Sequence, residues 1–299
     1  MDTKRRIAIR PEWILAFVAL LAAVGCAMLF FKCVPYILAE RPVVAAPTEP
    51  SSNNRAIEPE ELTALPTEPS PAEAPKPQAN PYTKRDFQYN DHNFLLCQAQ
   101  DSWPGIDVSA FQGEIDWEQV ADSGIRFAIV RLGYRGWGKA GKMVVDEYAA
   151  ANLEGARQAG LQVGAYFFSQ ALTIDEVDQE IDLILSILGD FQLDMPIVFD
   201  WEIPVPEART VNMDPRTLTE LQKHFCNVMS ARGYQPMIYF NWNMSSNLLY
   251  LHELEDYPFW LALYQDRMTY PYRVEMWQYT DRGRVPGING DVDINVYMP

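Results

Sequence analysis

The stretch MPIVFDWEIP at residues 195–204 ends an apolar run, Ile197-Val198-Phe199, in two carboxylic acids, Asp200 and Glu202, separated by Trp201. In an extended strand, residues two apart point to the same face, about 6.5–7 Å apart along the chain. Asp200 and Glu202 therefore face one way and Trp201 the other. Two carboxylates that close cannot both ionise cheaply, so the pKa of one rises. A raised carboxyl donates a proton near neutrality, and its ionised neighbour stabilises positive charge. Acid-catalysed cleavage of a glycosidic bond needs both.

Further polar residues stand where other apolar runs end. Asp107 lies in GIDVS, Asn241 ends MIYFN, Gln278 lies in MWQY and Asp293 lies in DVDIN, with Asp291 as the alternative inward acid of that run. Tyr134, Tyr166, Phe168, Tyr239, Trp260 and Tyr264 accompany them. Aromatic faces stack on the C–H faces of sugars, so these rings, Asn241 and Gln278 are the candidate sugar-binding residues, and Glu202, Asp200, Asp107 and Asp293 the candidate catalytic ones. Taken singly, each acid has a plainer reading as a turn former or helix cap. Acids on three strand ends among aromatics point to a carbohydrate site. Trp201 and Trp277 are expected to pack in the core.

The elements that must position these residues are legible from residue 103 onward. GIDVS, RFAIVRLGY, LQVGAYFFS, MPIVFDWE, QPMIYFN, PFWLALY, VEMWQYT and DVDINVY read as eight strands. Helical patterns separate the earlier ones. VDEYAAANLEGARQAG is expected to be capped by Asp146 and closed by Gly160. TIDEVDQEIDLILSILG has Thr173 and Glu176 in capping-box spacing and Gly189 as its stop. DPRTLTELQKHFCNVMSARG has Asp214 as N-cap, Pro215 at the first helical position and Gly233 beyond the end. Strand–helix alternation implies right-handed βαβ units and a parallel sheet, and eight strands imply a barrel spanning about 103–299. In such barrels the site lies at the C-terminal ends of the strands.

Upstream the texture differs. Lys4, Arg5, Arg6 and Arg10 precede an uncharged run from Trp13 to Phe31. A helix of that length, at about 1.5 Å per residue, roughly matches a bilayer's hydrocarbon core. Residues 1–12 then read as a basic cytoplasmic end, 13–31 as a transmembrane signal-anchor, and everything after residue 35 as outside the cell. A signal peptide cleaved after Ala39 is the alternative, though its apolar region would be shorter, about 7–15 residues. Lipidation at Cys26 fits less well, because the run stays apolar beyond it. Residues 40–81 are proline-rich with scattered charge and no apolar period, which predicts a disordered spacer.

The chain carries 24 basic and 40 acidic residues, a formal net charge of -16, which argues against nucleic acid as a partner. Its three histidines share no metal-ligand spacing, and no cofactor is called for. Cys97 and Cys226 either pair, if the domain is exported, or remain thiols. A cysteine hydrolase using one of them has little support, since neither ends a strand beside the acids.

From about Trp103 to the C-terminus the chain resembles glycoside hydrolase family 25, the Chalaropsis-type lysozymes (N-acetylmuramidases). GIDVSAFQGEIDW, FAIVRLGY, GAYFFS, PIVFDWE, FWLALY, MWQYT and VPGINGDVDINVY carry the resemblance. It implies an α/β fold, a flattened TIM-like (β/α)5(β)3 barrel, here preceded by the transmembrane helix and the linker. It also implies hydrolysis of the β-1,4 bond between N-acetylmuramic acid and N-acetylglucosamine in peptidoglycan glycan strands. Glu202 would be the general acid. Asp200 would assist the substrate's 2-acetamido group, whose oxygen attacks the anomeric carbon, or would itself be the nucleophile. Asp107 and Asp293 would shape the pocket, and the loop RGWGKAGKMVVDEY is where relatives contact glycan. A catalytically inactive glycan-binding or scaffold domain is the alternative reading. The expected place is a bacterial cell membrane, with the catalytic domain extracellular.

Overall fold

Alternation of side chains along the strands builds the molecule. A computed structural model describes residues 69–299. The expected basic terminus 1–12, transmembrane segment 13–31 and linker residues 40–68 lie outside the described residues. In chain order the elements are β1 (Phe87–Tyr89), β2 (Leu95–Cys97), β3 (Trp103–Val108), α1 (Trp117–Asp122), β4 (Phe127–Arg135), β5 (Met143–Val145), α2 (Ala149–Gln158), β6 (Gln162–Ser169), α3 (Ile174–Leu188), β7 (Ile197–Trp201), α4 (Pro215–Ala231), β8 (Pro236–Asn241), α5 (Trp242–Asn247), β9 (Phe259–Ala262), β10 (Met276–Gly283) and β11 (Val292–Tyr297).

Eight strands close into a barrel in the order β3-β11-β10-β9-β8-β7-β6-β4, with β3 pairing β4 to complete the ring. Neighbours are parallel except at β11, which runs antiparallel to both β10 and β3. A helix follows each of the first five barrel strands and none separates the last three, the order expected from the sequence.

Strand β7 shows how the pleat sorts side chains. Phe199 faces outward and stacks on Phe225 of α4, with ring centroids 4.6 Å apart. Trp201, also outward and fully buried, donates its indole N–H to the Ala171 carbonyl at 2.8 Å. Val198 faces inward and joins Phe127, Ile129, Met237, Trp260 and Met276 in the interior layer. Each such side chain stabilises the fold by roughly 1.5–3 kcal/mol through burial. The same period of two carries Asp200 inward. Gly105 of β3 is glycine for a steric reason: a Cβ there would collide with the ring of Phe127. Trp277 is fully buried, as expected.

Helices cover the barrel with their apolar stripes. On α3 the buried residues Val177, Ile181, Ile184 and Leu188 recur at helical spacing, with Thr173 as N-cap and Gly189 (φ 51°) as C-cap. Glu176 departs from the reciprocal capping box, because its carboxylate accepts from the Leu172 N–H at 2.7 Å and from Arg209 at 2.7 Å. On α4, Asp214 accepts from the Thr217 N–H at 2.9 Å, and Pro215 opens the helix. Asp146 does not cap α2. That helix begins after Tyr148 with no side-chain cap, and Asp146 is used in longer-range contacts.

Two features differ from expectation, and one open alternative is decided. The expected linker extends to residue 81, yet its end is docked: Ala74 is buried, Asn80 N–H donates to the Pro271 carbonyl at 2.8 Å, and Arg273 N–H donates to the Gln78 carbonyl at 2.9 Å. Backbone groups make this contact, so it leaves no apolar period in the sequence. The folded unit also begins before residue 103. Phe87 of β1 packs edge-on to Trp277 at 5.2 Å, and Leu95 N–H donates to the Tyr279 hydroxyl at 3.2 Å. Cys97 and Cys226 do not pair; both are free, buried thiols. Among the described residues no helix is long and apolar enough to cross a membrane.

A buried charge cluster ties the loops above the barrel together. Arg135 is 3% exposed and Glu180 0% exposed, and Arg135 Nε donates to Glu180 Oε1 at 2.6 Å. The same guanidinium donates to the carbonyls of Gly141 at 3.0 Å and Glu176 at 2.8 Å. Arg209, bound to Glu176, donates its backbone N–H to the Trp137 carbonyl at 2.9 Å. The loops after β4 and β7 are thereby fixed to α3. Breaking a buried ion pair strands its partner, whereas replacing both partners removes the charge altogether. Arg135→Met is expected to destabilise the chain by about 3–5 kcal/mol in urea unfolding. Arg135→Met combined with Glu180→Met should recover much of that loss. Equal losses in the two variants would contradict the pairing.

Candidate active site

The polar ends of the barrel strands converge on a cavity of about 820 Å³ at the C-terminal end of the parallel strands. Of the residues expected to meet there, Asp107, Tyr134, Tyr166, Phe168, Asp200, Glu202, Tyr239, Trp260, Tyr264, Gln278 and Asp293 all line it. Asn241 does not. Its side chain is used locally as the N-cap of α5, accepting from the Met244 N–H at 3.1 Å. The strand ends where the helix begins, and a helix start consumes a polar side chain.

Asp107 sits at the hub. It is 5% exposed, and its Oδ2 accepts from Gln278 Nε2 and from Asn295 Nδ2, each at 2.8 Å. Asp293 lies directly opposite it in the β3–β11 register. The pKa of Asp293 is pushed up to about 9 by burial and then by the charge of Asp107, which favours a proton on this pair at neutral pH. Asp291, the rival inward acid, is exposed and pairs with Arg284 at 2.8 Å. Gln278 links the hub to the rings: its Oε1 accepts from the Tyr239 hydroxyl at 3.2 Å and the Tyr264 hydroxyl at 3.1 Å.

Asp200 and Glu202 form the second pair. Asp200 is 6% exposed, and its Oδ1 has no hydrogen-bond partner. Burial, followed by the charges of Glu202 and Asp107, holds its carboxyl well above the usual carboxylate range, while Arg131 opposes the shift. Burial raises Glu202 to about 7, against the lowering effect of a hydrogen bond with Asp200. These shifts favour a proton on the pair near neutral pH. The backbone of Glu202 is clamped as well. Its carbonyl accepts from Gln170 Nε2 at 2.7 Å and from the Thr210 hydroxyl at 3.1 Å, and both donors are fully buried.

Arg131 and Asp146 are among the lining residues that escaped the sequence reading. Arg131 of β4 donates its Nε to Asp146 Oδ2 at 2.7 Å and lies over the rings of Phe111 and Tyr134, at 5.0 and 5.4 Å from their centroids. Asp146 also accepts from the backbone N–H groups of Ala110 at 3.0 Å and Tyr148 at 2.9 Å. The signal for Arg131 was present: a lone cation inside the apolar run RFAIVRLGY. Asp146 carried no such signal, since an acid before a helix reads as its cap. Phe111 and Trp137 stand on the rim, 85% and 51% exposed.

Among the described residues no group of side chains could hold a metal ion. The arrangement suits proton transfer instead. One carboxyl pair with raised pKa values stands near a guanidinium, and aromatic walls and amide donors surround it. These are the parts for protonating a leaving oxygen and stabilising a positively charged sugar.

Comparison with known proteins agrees. Residues 106–288 match the model of Glycosyl hydrolases family 25. The chain is 32% identical over 214 residues to "Uncharacterized protein YegX" of Escherichia coli (strain K12), covering 64% of this chain and 68% of that protein. It is 28% identical over 204 residues to "Lysozyme M1" of Streptomyces globisporus, covering 64% and 67% respectively. The fold is similar to that of the modular autolysin LytC from Streptococcus pneumoniae, solved in complex with a synthetic peptidoglycan ligand, at a TM-score of 0.60 and 23% identity. That match covers 74% of this chain and 52% of LytC, so the chain spans about half of LytC's length.

The raised carboxyls make stability depend on pH. An acid whose pKa is higher folded than unfolded contributes stability that is complete below its unfolded pKa and is lost as pH rises through its folded pKa. For Asp293 the window runs from the ordinary aspartate range, about 4, up to about 9. Unfolding free energy, measured by urea titration across that range, is expected to fall with rising pH. Asp293→Asn, whose amide donates to Asp107 at every pH, should flatten part of the slope. An unchanged slope would count against the Asp107–Asp293 proton.

Proposed function

The chain belongs to glycosyl hydrolases family 25 and is a glycoside hydrolase, and on that premise we propose that it is a membrane-anchored lysozyme. It cleaves the β-1,4 bond between N-acetylmuramic acid and N-acetylglucosamine in peptidoglycan. The observation that carries this reading is the Asp200–Glu202 pair, two carboxyls lining one cavity at the barrel mouth and both raised above the usual carboxylate range by burial. Similarity to Lysozyme M1 supports the substrate class.

Glu202 donates its proton to the glycosidic oxygen as the C–O bond to the leaving sugar breaks. Both carboxyls are then ionised, and Arg131 favours the negative charge on Asp200. The carbonyl oxygen of the muramic acid 2-acetamido group attacks the anomeric carbon, and Asp200 accepts the amide N–H as its nitrogen becomes positive. Glu202, now a carboxylate, takes a proton from the water that opens the cyclic intermediate. The clamp of Gln170 and Thr210 on the Glu202 carbonyl holds the acid to one position through both steps. Tyr239, Tyr264 and Trp260 supply faces for the sugar rings, and Gln278 orients the two phenols.

The deciding experiment incubates the 299-residue chain and Glu202→Gln with purified peptidoglycan, then identifies reduced ends by mass spectrometry. Wild type is expected to release fragments ending in reduced muramic acid, and the variant to lose roughly two to four orders of magnitude in kcat. De-N-acetylated glycan should be cut poorly, because the internal nucleophile is gone. Rapid cleavage of it would transfer the nucleophilic role to Asp200. Glycan bound but uncut by wild type would identify a binding domain instead.

Trp13–Phe31 anchors the enzyme, with the barrel outside the membrane. Basic residues ahead of an uncharged run of this length support that topology. In fractionated cells the chain should follow the membrane and be digested by protease added to intact spheroplasts. Recovery of a shortened chain from the medium would favour cleavage after Ala39.

A further inference from the structure

A second hollow, of about 600 Å³, opens at the same end of the barrel. The turn of the β1–β2 hairpin forms one wall through Tyr89, His92 and Phe94, and the β10–β11 turn forms another through Arg282 and Arg284. Tyr264, in the loop after β9, lines both this hollow and the catalytic cavity. Its hydroxyl is held by Gln278, so the ring stands fixed between the two spaces.

The hairpin precedes residue 106, where the match to the family begins. It is nonetheless built into the domain through Phe87 on Trp277 and Leu95 on Tyr279. Asn90 shapes its turn, with Oδ1 accepting from the N–H groups of His92 at 3.0 Å and Phe94 at 2.9 Å. Tyr89 and Tyr264 are 51% and 53% exposed. Large rings half open to water, beside guanidinium groups, suit a ligand with apolar C–H faces and polar edges. A pyranose has that character. Tyr264 lines both this hollow and the catalytic cavity, whose rim carries another exposed ring, Phe111.

We propose that the hollow between the β1–β2 hairpin and the β10–β11 turn is an accessory sugar subsite that binds the continuation of the glycan strand being cleaved. The inference rests on the reading of the catalytic cavity as a peptidoglycan site. Its consequence is a preference for long glycan over short, set by Tyr89.

The test uses the 299-residue chain with three substrates: a tetrasaccharide that fills the catalytic cavity alone, long glycan strands stripped of stem peptides, and the same strands with their stem peptides. The readout is the ratio of kcat/KM on long strands to that on the tetrasaccharide. Loss of one stacked ring predicts a fall of about fivefold in this ratio for Tyr89→Ala. Tyr89→Trp, which keeps a ring, should restore it. An unchanged ratio, with the substrates cleaved, would remove the subsite and leave the proposed function standing. A fall seen only on strands that carry stem peptides would assign the hollow to peptide and overturn the sugar reading. If wild type cleaves none of the three, the functional reading fails and the subsite with it.

Discussion

Ionised carboxylates do not share a buried space unless something neutralises them. Asp107, Asp200, Glu202 and Asp293 all line one cavity, and much of the surrounding structure resolves that conflict. Asp107 is stabilised by two amide donors, and the raised pKa of Asp293 opposite it keeps a second charge away at neutral pH. Asp200 and Glu202 are both raised by burial, which favours a proton on the pair, and Arg131 offsets part of the charge on Asp200. The same burial that makes the cluster costly raises the carboxyls into the range where one of them can act as an acid.

The barrel is what allows this. Its pleat turns Phe199 and Trp201 towards the helices and Asp200 towards the interior. Closure between β3 and β4 brings Asp107 from the first barrel strand, and the antiparallel β11 brings Asp293, into register with each other. An all-parallel ring would place the start of the last strand at the opposite end. By reversing β11, the fold sets Asp293 at the catalytic end through the beginning of a strand, not its finish.

Above the barrel, the loops are held by polar contacts. Arg135, Glu180, Glu176 and Arg209 bind the loops after β4 and β7 to α3. Asp146 joins the turn after β3 to β4 through Ala110 and Arg131. These groups do no chemistry on a substrate in the proposed mechanism. They set where Trp137 and Glu202 stand, and a buried charge network tolerates few alternative geometries once each member depends on the others.

The sequence alone determined the eight barrel strands, because long apolar runs ending in polar residues are imposed by burial on both faces. It also determined the acid pair, because i and i+2 share a face in any strand. The caps at Thr173 and Asp214 were legible for the same local reason. Tertiary structure decided the rest. β1, β2 and β5 are three residues long, too short for a period, and exist through the surfaces they pack against. Residues 74–80 dock through backbone hydrogen bonds, which no side-chain pattern records. Asn241 and Asp146 exchanged their expected roles: the former caps a helix and the latter lines the site. Which side chain a helix start consumes, and which one a distant arginine captures, depends on neighbours far away in the chain. The choice of Asp293 over Asp291 belongs here too, since strand pairing with Asp107 made it.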